Sequence, residues 1–74
     1  MSACLSISEA VDKIIKHSYG RNFDLILFSD GVLYASYHNN DDLSDSVEIG
    51  VIEKSEFTFI QLKLFTEGYL SKSY

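Results

Sequence analysis

The chain lacks proline and tryptophan, carries one cysteine, and has only six basic residues in 74. A single thiol, Cys4, excludes any internal disulfide. Together with His17 and His38, which are far apart in the sequence, it falls short of an ordinary four-ligand zinc site. The two usual staples of so small a fold are therefore missing, and a chain of this length buries only about 60–65% of its unfolded surface. Burial of its own apolar residues or self-association must supply the rest, so a homodimer is one expectation. With no proline, repeat or low-complexity stretch there is no linker, and residues 1–74 read as one domain with 69–74 as a tail after Gly68. The longest apolar run, Leu25 to Phe28, is too short to cross a bilayer. Met1 to Ser6 has neither the charged region nor the apolar region of a signal peptide. With the lone thiol, this predicts a cytoplasmic protein, in the host cytoplasm if it is viral.

Lys and Arg are absent from Asn22 to Glu53, a 32-residue stretch holding Asp24, Asp30, Asp41, Asp42, Asp45, Glu48 and Glu53. The net charge is −5. A direct nucleic-acid binder needs a clustered basic surface, and an anionic membrane attracts one, so neither partner is expected.

What the chain does have is apolar and aromatic content, 46% and 14%, arranged in readable periods. Ser6 and Glu9 match the capping box, in which each side chain satisfies an amide at the other's position. Ile7, Val11, Ile14, Ile15 and Ser18 then share one helical face. Gly20 fits the residue after a helix end, which predicts a helix from about Ile7 to Tyr19. Asp30-Gly31 lies between two runs of strand formers, Phe23–Ser29 and Val32–His38, and predicts a hairpin with a two-residue turn. That register pairs Phe28 with Leu33 and Ile26 with Ala35. One face then carries Leu25, Leu27, Val32 and Tyr34, and the other Ile26, Phe28, Leu33, Ala35 and Tyr37. Both are apolar, as in strands covered on two sides.

After the acidic loop Asn39–Asp45, Val47, Ile49 and Val51 alternate with Glu48 and Gly50. Ile60, Leu62 and Leu64 alternate with Gln61 and Lys63. A turn at Lys54-Ser55 joins these as a second hairpin, although it lacks Gly or Asn. The competing reading is a helix from Glu56 to Glu67 on Phe57, Ile60 and Leu64; its apolar residues run almost all round, and Phe-Thr-Phe-Ile is poor helix material. The expected fold is α+β, an N-terminal helix on a four-stranded, mostly antiparallel sheet (α-β-β-β-β), with the helical alternative for the last element. One helix covers one sheet face. The second face, Ile26, Phe28, Leu33 and Tyr37, then calls for a cover: a second copy, another protein, or the tail with Tyr69, Leu70 and Tyr74.

No constellation carries chemistry. Neither histidine has a nucleophile and orienting acid at a recognisable spacing. The acidic loop fails the calcium-loop pattern: counting back from Glu48 puts Tyr37 where a carboxylate belongs and Asp42 where glycine belongs. No glycine-rich phosphate loop is present. The expectation is no enzyme, no cofactor and no metal. What remains is the acidic span, read either as charge that keeps a small apolar domain in solution or as a surface for a basic protein partner through Asp41, Asp42, Asp45 and Glu48. In type, small and acidic without catalytic residues, the chain resembles phage- and plasmid-encoded inhibitors, among them anti-CRISPR, anti-restriction and DNA-mimic proteins. The leading expectation is a non-enzymatic protein-binding module inhibiting a nucleic-acid-binding complex. The alternative is a homodimeric structural or assembly subunit.

Overall fold

The first helix starts where its capping residues dictate. In the computed structural model, which describes residues 3–69, α1 spans Ile7–Lys16. The Ser6 hydroxyl accepts from the Glu9 amide at 3.1 Å, and the Glu9 carboxylate accepts from the Ser6 amide at 2.9 Å. Ala10, Val11 and Ile14 are buried on its inner side. The helix stops at Lys16, before the expected Tyr19, because Tyr19 and Gly20 both take positive φ (50° and 79°) and turn the chain away.

Three strands follow: β1 (Phe23–Leu27), β2 (Val32–His38) and β3 (Ser44–Val51). They form one antiparallel sheet in the order β1-β2-β3. The first hairpin falls where Asp30-Gly31 predicts it, but its loop has three residues. The Phe28 amide donates to the Val32 carbonyl, the Gly31 amide to the Phe28 carbonyl, and Gly31 has φ 90°. This is the glycine-bulge hairpin, the next most common after the two-residue turn. The extra residue shifts the register by one: Leu27 faces Leu33, Ile26 faces Tyr34, and Leu25 faces Ala35. A one-residue slip sends β2 side chains to the opposite face relative to β1. The expected second face of Ile26, Phe28, Leu33 and Tyr37 is thereby split. Leu33 and Tyr37 are fully buried, whereas Ile26 and Phe28 are exposed.

A second irregularity lies between β2 and β3, where the register shifts between Leu33 and Tyr34. Ile49 is the extra residue and is buried; Gly50 beside it has φ 145°. The bulge turns Val51 to pair with Val32. Leu5 crosses here: its amide donates to the Val51 carbonyl at 2.8 Å, and its side chain lies where a Cβ on Gly50 would sit, 2.8 Å away.

The fourth strand is replaced by a helix. After β3, Ile52 is buried, Lys54–Glu56 form a 3₁₀ turn, and α2 runs Phe57–Thr66. The Lys54-Ser55 hairpin, which would have paired Val47 with Leu62, does not form; Val47 pairs with Ala35. Ile60 and Leu64, one turn apart, are the buried residues of α2, with Phe57 packed beside them. Helical spacing lets one narrow stripe enter the core, which alternation also satisfied on paper. The architecture is therefore α+β in two layers, α-β-β-β-α. Both helices contribute to one core with the inner sheet face: Val11, Ile14, Leu33, Ala35, Tyr37, Ile49, Ile60 and Leu64. The expected tail lies outside the described residues from 70 onward.

Candidate protein-interaction surface

With the helices contributing to the inner-face core, no described element covers the outer face of the sheet. Alternation and the observed register place Asp24, Ile26, Tyr34, Ser36, His38, Ser46 and Glu48 on it. Its hairpin end is apolar. Ile26 and Phe28 are 44% and 48% exposed, and the Phe28 and Tyr34 rings stack at 4.8 Å. Its other end is polar: Asp24 pairs with His38 at 2.8 Å, and Glu48 accepts from the Tyr34 hydroxyl at 3.5 Å.

The four acids singled out from the sequence do not form one patch. Glu48 stands on the open sheet face, while Asp41 and Asp42 lie at the exposed tip of the β2–β3 loop. Asp41 accepts the Leu43 amide at 3.3 Å, and Asp42 sits at φ 65°. Asp45, opposite Tyr37, points to the helical side and is already engaged. Arg21 donates to it at 3.0 Å, to Asn39 at 2.7 Å, and to the carbonyls of His17 and Ser18 at 2.8 and 3.1 Å. The guanidinium also lies over the Tyr37 ring at 5.0 Å. Hydrogen bonds from Arg21, and then Asn39, hold the Asp45 carboxyl below its usual range. This clasp joins the end of α1 to the β2–β3 loop. Tyr37 completes it from inside, donating to the Ile14 carbonyl at 2.6 Å, with its phenol pushed up to about 12 by burial.

The charge is divided between the layers. From Arg21 to Val51, the segment that forms the sheet holds six acids (Asp24, Asp30, Asp41, Asp42, Asp45, Glu48) against Arg21 alone. The other described segments hold five acids (Glu9, Asp12, Glu53, Glu56, Glu67) against four bases (Lys13, Lys16, Lys54, Lys63). Among the described residues the net negative charge thus falls almost wholly on the sheet-forming segment, with Asp30, Asp41 and Asp42 in its turns.

A further apolar surface escaped the sequence reading. Phe59 and Leu62, 58% and 57% exposed, and Phe65 lie on the solvent side of α2, across from Ile60 and Leu64. The apolar residues all round Glu56–Glu67 were the signal, once that segment is a helix.

Among the described residues no group of three or more His, Cys, Asp and Glu side chains could hold a metal ion, and no buried side-chain nitrogen or oxygen lacks a hydrogen-bond partner. No helix there is long and apolar enough to cross a membrane. Cys4 is exposed beside Glu53, and its thiol is raised, first by desolvation and then by that carboxylate; a raised pKa is the opposite of what an activated thiolate needs. No protein-family model matches the chain, and neither a curated protein nor a solved structure matches it significantly.

Proposed function

We propose that this is a non-enzymatic protein-binding module of the cytoplasm that offers its acidic sheet layer to a basic partner, as an inhibitor of a nucleic-acid-binding complex would. The observation that carries it is the division of charge. Six acids and one base lie on the segment that forms the sheet, whose outer face the helices leave open. Acids spread over the turns and the outer face of one layer give that layer a negative field, which speeds capture of a basic groove by steering. Ile26 and Phe28 supply apolar anchor area beside them, of the kind that dominates interface energetics. Asp41, Asp42 and Glu48 are the acids of the expected set that no described cation pairs with; Asp45 contributes through the clasp that orders the loop.

The test is retention of partners from host lysate, eluted in rising salt, by wild type and by a variant with Asp41, Asp42 and Glu48 replaced by Lys. Capture of a basic nucleic-acid-binding protein that elutes as salt rises and is lost with the variant supports the reading. The same partners at the same salt with the variant would sink it.

A second reading, a homodimeric subunit, is favoured by a different observation: the sheet has an open edge and uncovered apolar residues at the hairpin end.

A further inference from the structure

The two edges of the sheet are finished differently. β3 is a blunted edge. It carries Asp45 and Glu48, contains the Ile49–Gly50 bulge, and has its last carbonyl taken by the Leu5 amide. Charge, bulges and a covering segment are the devices that keep an edge from pairing. β1 has neither a bulge nor, among the described residues, a covering segment. Phe23–Leu27 contains no proline, no lysine and no bulge. Its one charge, Asp24, already has His38 against it at 2.8 Å.

The ladder fixes which backbone groups of β1 are unused. The His38 amide donates to the Asn22 carbonyl and the Phe28 amide to the Val32 carbonyl. In an antiparallel pair, hydrogen-bonded positions alternate, so Asn22, Asp24, Ile26 and Phe28 spend their backbone groups on β2. The N–H and C=O groups of Phe23, Leu25 and Leu27 point away from the sheet. Among the described residues no hydrogen bond from another element reaches them.

We infer that β1 pairs antiparallel with β1 of a second copy, about a two-fold axis through Leu25, giving one continuous sheet. This deepens the homodimer reading and rests on it. The strand is self-complementary in that register. Phe23 meets Leu27 of the second copy, Leu25 meets Leu25, and every outward backbone group on both strands is engaged. On the outer face Asp24 stands opposite Ile26 of the second copy, so the two aspartates are never directly opposed. Like charges directly opposite across strands are unfavourable, and β3 paired with itself would bring Asp45 and Glu48 of both copies to one seam. The helices of the two copies fall on the same side. The Ile26 and Phe28 patches merge on the other.

The register makes a charge-specific test. Ile26 is exposed and spends its backbone on β2, so either substitution there leaves the fold intact. Ile26→Asp sets a carboxylate opposite Asp24 of the second copy, twice per dimer. Ile26→Lys sets an ammonium there instead. Sedimentation equilibrium of the full chain should give twice the 8.4 kDa chain mass for wild type. The dimer dissociation constant should rise about tenfold or more in Ile26→Asp and stay equal or fall in Ile26→Lys. Leu25→Pro removes only the outward amide, which an edge strand tolerates, and should leave a monomer. If that variant fails to fold, the Ile26 pair decides alone. A dimer weakened alike by Asp and Lys at position 26 would mean stacking of outer faces; one indifferent to all three variants would mean another surface. Either result overturns the edge pairing and leaves the dimer standing. A wild type that stays at the chain mass at high concentration overturns both.

Discussion

The two faces of the sheet are built from the same three strands and live in opposite surroundings. The inner face, Phe23, Leu33, Ala35, Tyr37 and Ile49, is buried against the two helices. The outer face mixes Ile26, Phe28 and Tyr34 with Asp24, Ser36, His38, Ser46 and Glu48. Among the described residues, the sequence outside the strands makes one helical layer. Stability is therefore concentrated on the inner side, and the outer side is left with exposed Ile26 and Phe28 among polar and charged side chains, where a partner can reach them.

Truncation should separate the faces most sharply. Leu33→Ala removes a fully buried side chain between sheet and helices and should cost about 3 kcal/mol. Ile26→Ala on the outer face should change the unfolding free energy of the monomer by less than about 1 kcal/mol. Urea unfolding at low protein concentration measures both. Comparable losses would mean that the outer face is covered within the chain, and the comparison would collapse. Next in size is the clasp. Arg21→Ala breaks four hydrogen bonds from a half-buried guanidinium and should cost about 2 kcal/mol. Arg21→Lys should recover little, because an ammonium cannot span the same fork of acceptors. Full recovery by Lys would reduce the clasp to simple charge pairing with Asp45.

Tyr37 gives the inner face a signature in alkali. Its folded pKa of about 12 lies above the ordinary 10. Between those values the unfolded chain releases a proton that the folded chain retains, so stability falls as pH rises through that window. The loss should approach about 2 kcal/mol. Tyr37→Phe should cost about 1 kcal/mol at neutral pH, for the bond to the Ile14 carbonyl, and should flatten the alkaline slope. A slope that persists would assign it to another group.

How far these faces could be foreseen depended on how local the deciding physics is. The capping box is a contact between residues three apart, and Ser6 and Glu9 declare it. The place of the first turn is equally local at Asp30-Gly31. Its register is not: Ser29-Asp30-Gly31 suits a three-residue loop as well as Asp30-Gly31 suits a two-residue one. The difference decides whether Leu33 and Tyr37 face the core with Leu25 or with Ile26. The Phe57–Phe65 segment satisfies both periods, since Ile60, Leu62 and Leu64 alternate while Phe57, Ile60 and Leu64 make a helical stripe. Only the core formed with α1 selects between them. The weak turn at Lys54-Ser55 was the local sign that no hairpin forms there. Of the candidate site, the acidity of the span was legible, but the pairing of Asp45 with Arg21 spans 24 residues and follows from the fold.

That pairing gives the smallest effect and the one that separates stability from recognition. Hydrogen bonds from Arg21 hold the Asp45 carboxyl below its usual range. A group depressed in the folded state adds stability above its unfolded pKa, and that contribution is lost as pH falls through the folded value. Wild type should thus lose stability below about pH 4 more steeply than Asp45→Asn, which keeps the shape and discards the titration. Because Asp45 is exposed, the difference should be a small shift in the acid midpoint of a thermal melt. Among the described residues Asp41, Asp42 and Glu48 pair with no cation. Their replacement by Asn, Asn and Gln keeps acceptors for the Leu43 amide and the Tyr34 hydroxyl and suits the positive φ at position 42, so it should leave the acid midpoint unchanged and weaken salt-dependent binding. If Asp45 behaves like those three, the clasp is not holding the loop and all four acids form one solvated surface. If it alone moves the melt while they alone move binding, the loop has an anchoring side and a presenting side, divided between adjacent residues of one acidic run.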